Sequence, residues 1–145
     1  MLAEYQDRVL IGRQHSWPAG RYSALAGFVE VGESIEEAVA RELNEEAGIV
    51  VDDVSYVASQ PWPFPSQLMI ACIAVARNDE VNLDANELEH VLWASRDDVR
   101  AAFAGSPDAL FIAPPPYAIA HTLLQRWLGE PGSDDQPSTR VRAWG

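Results

Sequence analysis

Glu42, Glu45 and Glu46 are the residues whose type and spacing first suggest chemistry. On a helix Glu42 and Glu46 share one face, about 40° from each other, with Glu45 adjoining them. On the same wheel Ile35, Val39 and Leu43 form an apolar stripe, and the acids overlap its edge instead of lying opposite it. Carboxylates at this spacing repel one another by roughly a few tenths of a kcal/mol even when solvated. Partial burial raises that cost unless a cation neutralises it. Hard divalent cations such as Mg²⁺ or Mn²⁺ favour oxygen ligands of this kind and keep coordination positions for substrate phosphates. Arg41 stands four residues before Glu45, the right distance to pair with it and orient the acids. Acidic helix faces are common, however, and spacing alone favours a solvated face over a metal site.

The surrounding residues carry more information. From Gly27 to Ile49 the chain reads GFVEVGESIEEAVARELNEEAGI. Gly27, Glu33, Arg41, Glu42, Leu43, Glu45, Glu46, Gly48 and Ile49 fill every slot of a pattern that resembles the signature of the Nudix hydrolase superfamily. At average composition such a match has a chance below about one in 10⁸ at any given start. The resemblance implies an α/β Nudix fold, a mixed β-sheet sandwiched between helices. It also implies hydrolysis of a nucleoside diphosphate linked to another moiety, by water, with divalent ions bound. It makes Glu42 and Glu46 metal ligands, gives Glu46 the activation of water, and has Glu45 support the metal shell while Arg41 holds the acids in place. The carbonyl of Ala26, just before the signature, is a further expected ligand. Metal ions suit this reaction because they lower the pKa of the attacking water and neutralise charge on the phosphate oxygens.

Substrate choice must be written elsewhere. Ser59 to Ser66 read SQPWPFPS, and three prolines there restrict the backbone around Trp62 and Phe64. Rigid aromatic rings suit stacking on a flat heterocycle, although a proline-rich turn whose aromatics cap the core is an equal reading of the same residues. The segment resembles the NADH pyrophosphatase branch of the superfamily, with SQPWPFP intact and Gln67 in a slot that usually holds serine. That resemblance implies substrate contacts from Gln60, Trp62, Phe64, Ser66 and Gln67, from Phe28 beside the first signature glycine, and from Ala120 in a C-terminal helix. Glu87, six residues before Trp93, takes the place of another acidic metal ligand, with Glu89 a close competitor. The implied reaction converts NADH or NAD⁺ to AMP and nicotinamide mononucleotide, and extends secondarily to NAD caps on RNA. Rival readings are a Nudix enzyme for ADP-ribose or a dinucleoside polyphosphate, and a ligand-sensing Nudix domain without catalysis.

Several elements must position these residues. Arg8–Arg13 reads as a strand, and Tyr22–Val31 as a strand broken by Gly27 and running into a loop. Ser34 with Glu37 three residues later is a capping-box pattern, so a helix is expected over Ile35–Ala47, stopped by Gly48. Val50–Ser59, Gln67–Arg77 and Val91–Ala94 read as strands, and Ser95–Ala104 and Tyr117–Leu128 as helices. One Nudix domain is expected over 1–129, with a disordered tail over 130–145 where Gly, Ser, Asp and Pro take over.

The bulk properties agree. One domain is the natural content of 145 residues with 48% hydrophobic character. A net charge of −12 argues against gripping bare nucleic acid through its backbone. The single cysteine, Cys72, rules out internal disulfides and a cysteine-rich zinc site. Branch members usually carry an N-terminal domain and a four-cysteine zinc ribbon. The chain has neither, so it is expected to be a short form or a piece of a longer protein, with a homodimer left open. No apolar run reaches membrane-spanning length and no secretory segment is evident, so a cytoplasmic location is expected. His15, His90 and His121 show no ligand spacing, and P-loop or Ser/Cys nucleophile motifs are absent.

Overall fold

Adjacent residues of a strand face opposite sides of a sheet, and the first residues of this chain obey that alternation. In a computed structural model, which describes residues 1–129, Leu2, Val9 and Ile11 enter one hydrophobic core while Ala3 and Leu10 enter a second. The strands are β1 (Leu2–Tyr5), β2 (Arg8–Arg13), β3 (Val51–Trp62), β4 (Gln67–Ala76) and β5 (His90–Ser95). They form one mixed sheet in the order β3-β4-β1-β2-β5. The β1–β4 pair is parallel and the other three pairs are antiparallel.

Helix α1 (Ile35–Ala47) packs its Val39, Leu43 and Ala47 into the core on one face of the sheet. Helices α2 (Arg96–Phe103) and α3 (Ile119–Leu128) cover the other face with Val99, Leu123, Leu124 and Trp127. The architecture is thus an α/β sandwich of a mixed sheet between helices, as expected from the resemblance.

The ends of α1 follow from local chemistry. Ser34 accepts the Glu37 amide (3.2 Å), and the Glu37 carboxylate accepts the Ser34 amide in return (2.9 Å). Gly48 ends the helix at φ 69°, where a side chain would also meet Asn82 at 2.6 Å. The same reciprocal cap recurs at Ser95 and Asp98, at the start of α2.

Two expectations need correction, and one strand was not expected. Strand β1 does not stand out in the sequence: its four residues are joined to β2 by Gln6 and Asp7, both at positive φ, in place of the usual Asn-Gly signal. Tyr22–Val31 is not a strand. Ser23 exchanges backbone bonds with Gly12 (2.9 Å each), but no partner strand lies beyond it, and the segment continues as a loop with Phe28, Val29 and Val31 exposed. Strand β3 runs on through Pro61 to Trp62, pairing with β4 as far as Trp62↔Gln67, so only 63–66 form the turn. The tail expected over 130–145 lies outside the described residues.

Replacing Ser34 by Ala removes one half of the reciprocal cap and is expected to destabilise the chain by about 1 kcal/mol. Urea unfolding measures this, and an unchanged midpoint would show that α1 does not depend on its cap.

Candidate active site

The last turns of α1 rise beside an open cleft of about 1300 Å³. Glu42, Glu45 and Glu46 line one wall together with Ala26, Gly27 and Phe28. Glu87, from the segment between β4 and β5, contributes to the same lining. The far wall comes from the ends of β3 and β4, with Gln60, Trp62 and Gln67, and from the start of α3, with Ala120.

Arg41 organises the acidic wall. Its Nε donates to Glu33 Oε1 (2.5 Å), and its Nη1 to Glu42 Oε1 (2.9 Å) and Glu45 Oε2 (3.1 Å). Nη2 donates to the Phe28 carbonyl (2.9 Å) and to Glu33 Oε2 (3.0 Å). These contacts engage all five N–H groups of a guanidinium. They tie the loop from Phe28 to Glu33 onto the helix. Glu33, which the sequence offered only as a slot in the signature, is therefore the loop's anchor. Its carboxyl is held down at about 2 by the Arg41 bond and by the Glu30 amide.

Glu46 is different. It is the only buried charged residue among those described, 7% exposed, and its Oε2 has no hydrogen-bond partner there. Burial, and then the negative charges of Glu42 and Glu87, push its carboxyl up to about 7. A buried carboxylate oxygen without a donor is costly, and a cation would relieve it. Gly27 supplies a second mark of close fit: a Cβ there would sit 2.1 Å from Glu42 Cδ, so any side chain would displace that carboxylate. The Glu42 carboxylate also accepts the Phe28 amide (3.2 Å).

This all-oxygen donor set suits a hard divalent cation. Among the described residues no three Asp, Glu, His or Cys side chains are already drawn together as a ligand set.

On the aromatic wall the sequence-derived residues separate into two groups. Gln60, Trp62, Gln67, Phe28 and Ala120 meet at the cleft. Phe64 and Ser66 lie exposed on the 63–66 turn, outside its lining, and Phe64 braces Trp62 edge-on with ring centroids 5.7 Å apart. Gln60 Nε2 donates to the Tyr117 carbonyl (2.8 Å), joining β3 to the chain entering α3. Of the competing acids, Glu87 lines the cleft, whereas Glu89 is turned away in a salt bridge with Arg13. His90 bonds the Tyr22 hydroxyl (2.9 Å), and His121 stacks on Phe103 (4.4 Å). Asp84 and Gln14 also line the cleft, and no sequence pattern marked them.

A model of the NUDIX domain family matches residues 2–114. Over 121 residues, 83% of the chain, the sequence is 47% identical to a protein of Macaca fascicularis named NAD-capped RNA hydrolase NUDT12. It is 45% identical over 132 residues to a Mus musculus protein named NAD(P)H pyrophosphatase NUDT13, mitochondrial. The chain spans only 26% and 38% of those two relatives' lengths. A NUDIX hydrolase from Nitrosomonas europaea shares the fold with a TM-score of 0.67 at 22% identity, over 90% of this chain and 68% of that one. No helix among the described residues is long and apolar enough to cross a membrane.

The raised carboxyl of Glu46 has a consequence for stability in the metal-free chain. A group whose folded pKa lies above its unfolded value of 4.5 stabilises fully below about 4.5, and loses that contribution as pH rises through about 7. The loss amounts to at most about 3 kcal/mol. In chelator, the urea stability of the wild type relative to Glu46→Gln should therefore fall between about pH 5 and 8. Parallel profiles for the two proteins would contradict the assignment.

Proposed function

The chain belongs to the Nudix family, and on that footing we propose that it hydrolyses the pyrophosphate bond of NADH or NAD⁺, yielding AMP and the nicotinamide mononucleotide. One observation supports this above the others: the carboxylates of α1 and the Gln60–Trp62 wall face one continuous cleft. A dinucleotide needs that combination, with a charged centre at its pyrophosphate and flat surfaces for its heterocycles. The names of the two relatives, one of an NAD-capped RNA hydrolase and one of an NAD(P)H pyrophosphatase, support the same substrate class.

In this reading Glu42, Glu46, Glu87 and the Ala26 carbonyl hold Mg²⁺ or Mn²⁺. The bound cations would lower the pKa of the attacking water and neutralise charge developing on the phosphate oxygens. Glu46, with an oxygen free of other partners, accepts the proton of that water. Glu45 stands beside the cluster, and Arg41 keeps both Glu45 and Glu42 oriented without contacting substrate, since its donors are already engaged. Phe28 and Trp62 offer ring faces for stacking, worth about 1–3 kcal/mol per base. Gln60 and Gln67 supply hydrogen bonds, and Ala120 leaves room for the ligand's edge. Phe64 acts through Trp62.

The same pyrophosphate occurs at the 5′ end of NAD-capped RNA, which extends the proposal to that substrate. With a net charge of −12, recognition would centre on the cap and not on the phosphate backbone.

Incubation with NADH and Mn²⁺ or Mg²⁺, with products resolved by chromatography, tests the proposal. AMP and reduced nicotinamide mononucleotide should form only with metal, and Glu46→Gln should lower turnover by roughly 10²-fold or more. Cleavage of ADP-ribose with NADH left intact would move the substrate assignment elsewhere in the family.

A further inference from the structure

Glu87, like Asp84, is an acid of the cleft that α1 does not carry, so the loop bearing it must be held there by other contacts. The 84–89 loop is anchored at both ends. At its start the Asp84 amide donates to the Glu46 carbonyl (2.9 Å), and Asp84 Oδ1 accepts the Asn86 amide (2.9 Å). That end follows α1 directly.

The other end is held by the last residue of β2. The Glu89 amide donates to the Arg13 carbonyl (3.0 Å), and Arg13 Nη1 donates to the Glu89 carboxylate. Arg13 Nη2 reaches the Trp17 carbonyl (2.7 Å) and the Pro18 carbonyl (3.3 Å). Two residues on, His15 Nε2 lies 2.9 Å from the Ala85 carbonyl and, facing an acceptor, carries the proton. The Arg13 side chain is only 14% exposed, whereas that of Glu89 is 40% exposed, so the pair is held from the Arg13 side. Between Glu87 and Glu89, Leu88 is buried in the core on the α1 face. With Leu88 fixed inward and Glu89 fixed on Arg13, Glu87 is left facing the cleft.

We propose that Arg13 is a positioning residue for the cation site: by clamping Glu89 and the 14–18 loop together, it holds Glu87 toward Glu46. The inference rests on the reading of Glu87 as a cation ligand. Groups hydrogen-bonded directly to a metal ligand typically change metal affinity by about 10–100-fold when lost. Arg13 reaches Glu87 only through Glu89 and the backbone, which sets the lower end of that range as the expectation. Lysine would keep the charge opposite Glu89 but not the fork that also bridges the two loop carbonyls.

The test is calorimetric titration of the metal-stripped full chain with Mn²⁺, alongside kcat for NADH at saturating Mn²⁺. Arg13→Ala should weaken Mn²⁺ binding by about tenfold or more while kcat at saturation changes by less than about threefold. Arg13→Lys should recover part of the affinity, and Glu89→Gln should weaken it in the same direction. Arg77→Ala, which breaks the Arg77–Asp52 pair outside the cleft, should bind Mn²⁺ like the wild type. Should Arg13→Ala fail to fold, the Lys and Gln variants still decide the matter. Wild-type affinity in Arg13→Lys and Glu89→Gln together would overturn the inference and leave the proposed function standing. A wild type that binds no Mn²⁺ would remove both.

Discussion

Arg41 sits among Glu33, Glu42 and Glu45 and spends its donors on them and on the Phe28 carbonyl. Its position is what lets a helix bearing so many acids end beside a cleft. The same bonds fix the Phe28–Glu33 loop, which has no sheet partner to order it. Glu46 is left outside this arrangement, buried and with an unpartnered oxygen. Arg41 therefore neutralises part of the cluster directly, and in the proposed function a cation on Glu42 and Glu46 would complete that neutralisation.

The cost of burying Glu46 falls on the fold. A buried carboxyl raised to about 7 is a local penalty at neutral pH without metal. Elsewhere the chain offsets it with ordinary means: two hydrophobic cores on opposite faces of the sheet, and reciprocal caps at Ser34 and Ser95. Functional sites are where such local conflicts are expected to persist. A ligand that binds only the folded state would recover the stability the site gives up.

Legibility in the sequence followed the range of the interactions. Helix α1, its capping box and its Gly48 stop are short-range signals, and they appear at the expected residues. The wheel also foreshadowed the burial of Glu46, because the acids overlapped the stripe of Val39 and Leu43. Strand β1 was hidden because its identity comes from pairing with β4, some seventy residues away, and because Gln6-Asp7 is not a usual turn signal. The Tyr22–Val31 segment looked strand-like from its apolar content alone, yet strands need a neighbour, and beyond Ser23 it has none. Within the site, spacing from Trp93 favoured Glu87 over Glu89; Glu87 lines the cleft, while Glu89 pairs with Arg13, a contact that no local pattern announces. Phe64 was grouped with Trp62 by the proline motif, whereas β3 ends at Trp62 and leaves Phe64 on the exposed turn beyond it.

In the proposed function, Glu42, Glu46 and Glu87 take a divalent cation at the cleft they line. Crystals soaked in Mn²⁺ and AMP, with the metal located by its anomalous scattering, test it most directly. Mn²⁺ is expected on Glu42 and Glu46, with Glu87 on the same ion or its neighbour and the nucleotide phosphate completing the shell. Mn²⁺ found only at other surface carboxylates, with Glu46 unliganded in the presence of the nucleotide, would contradict it.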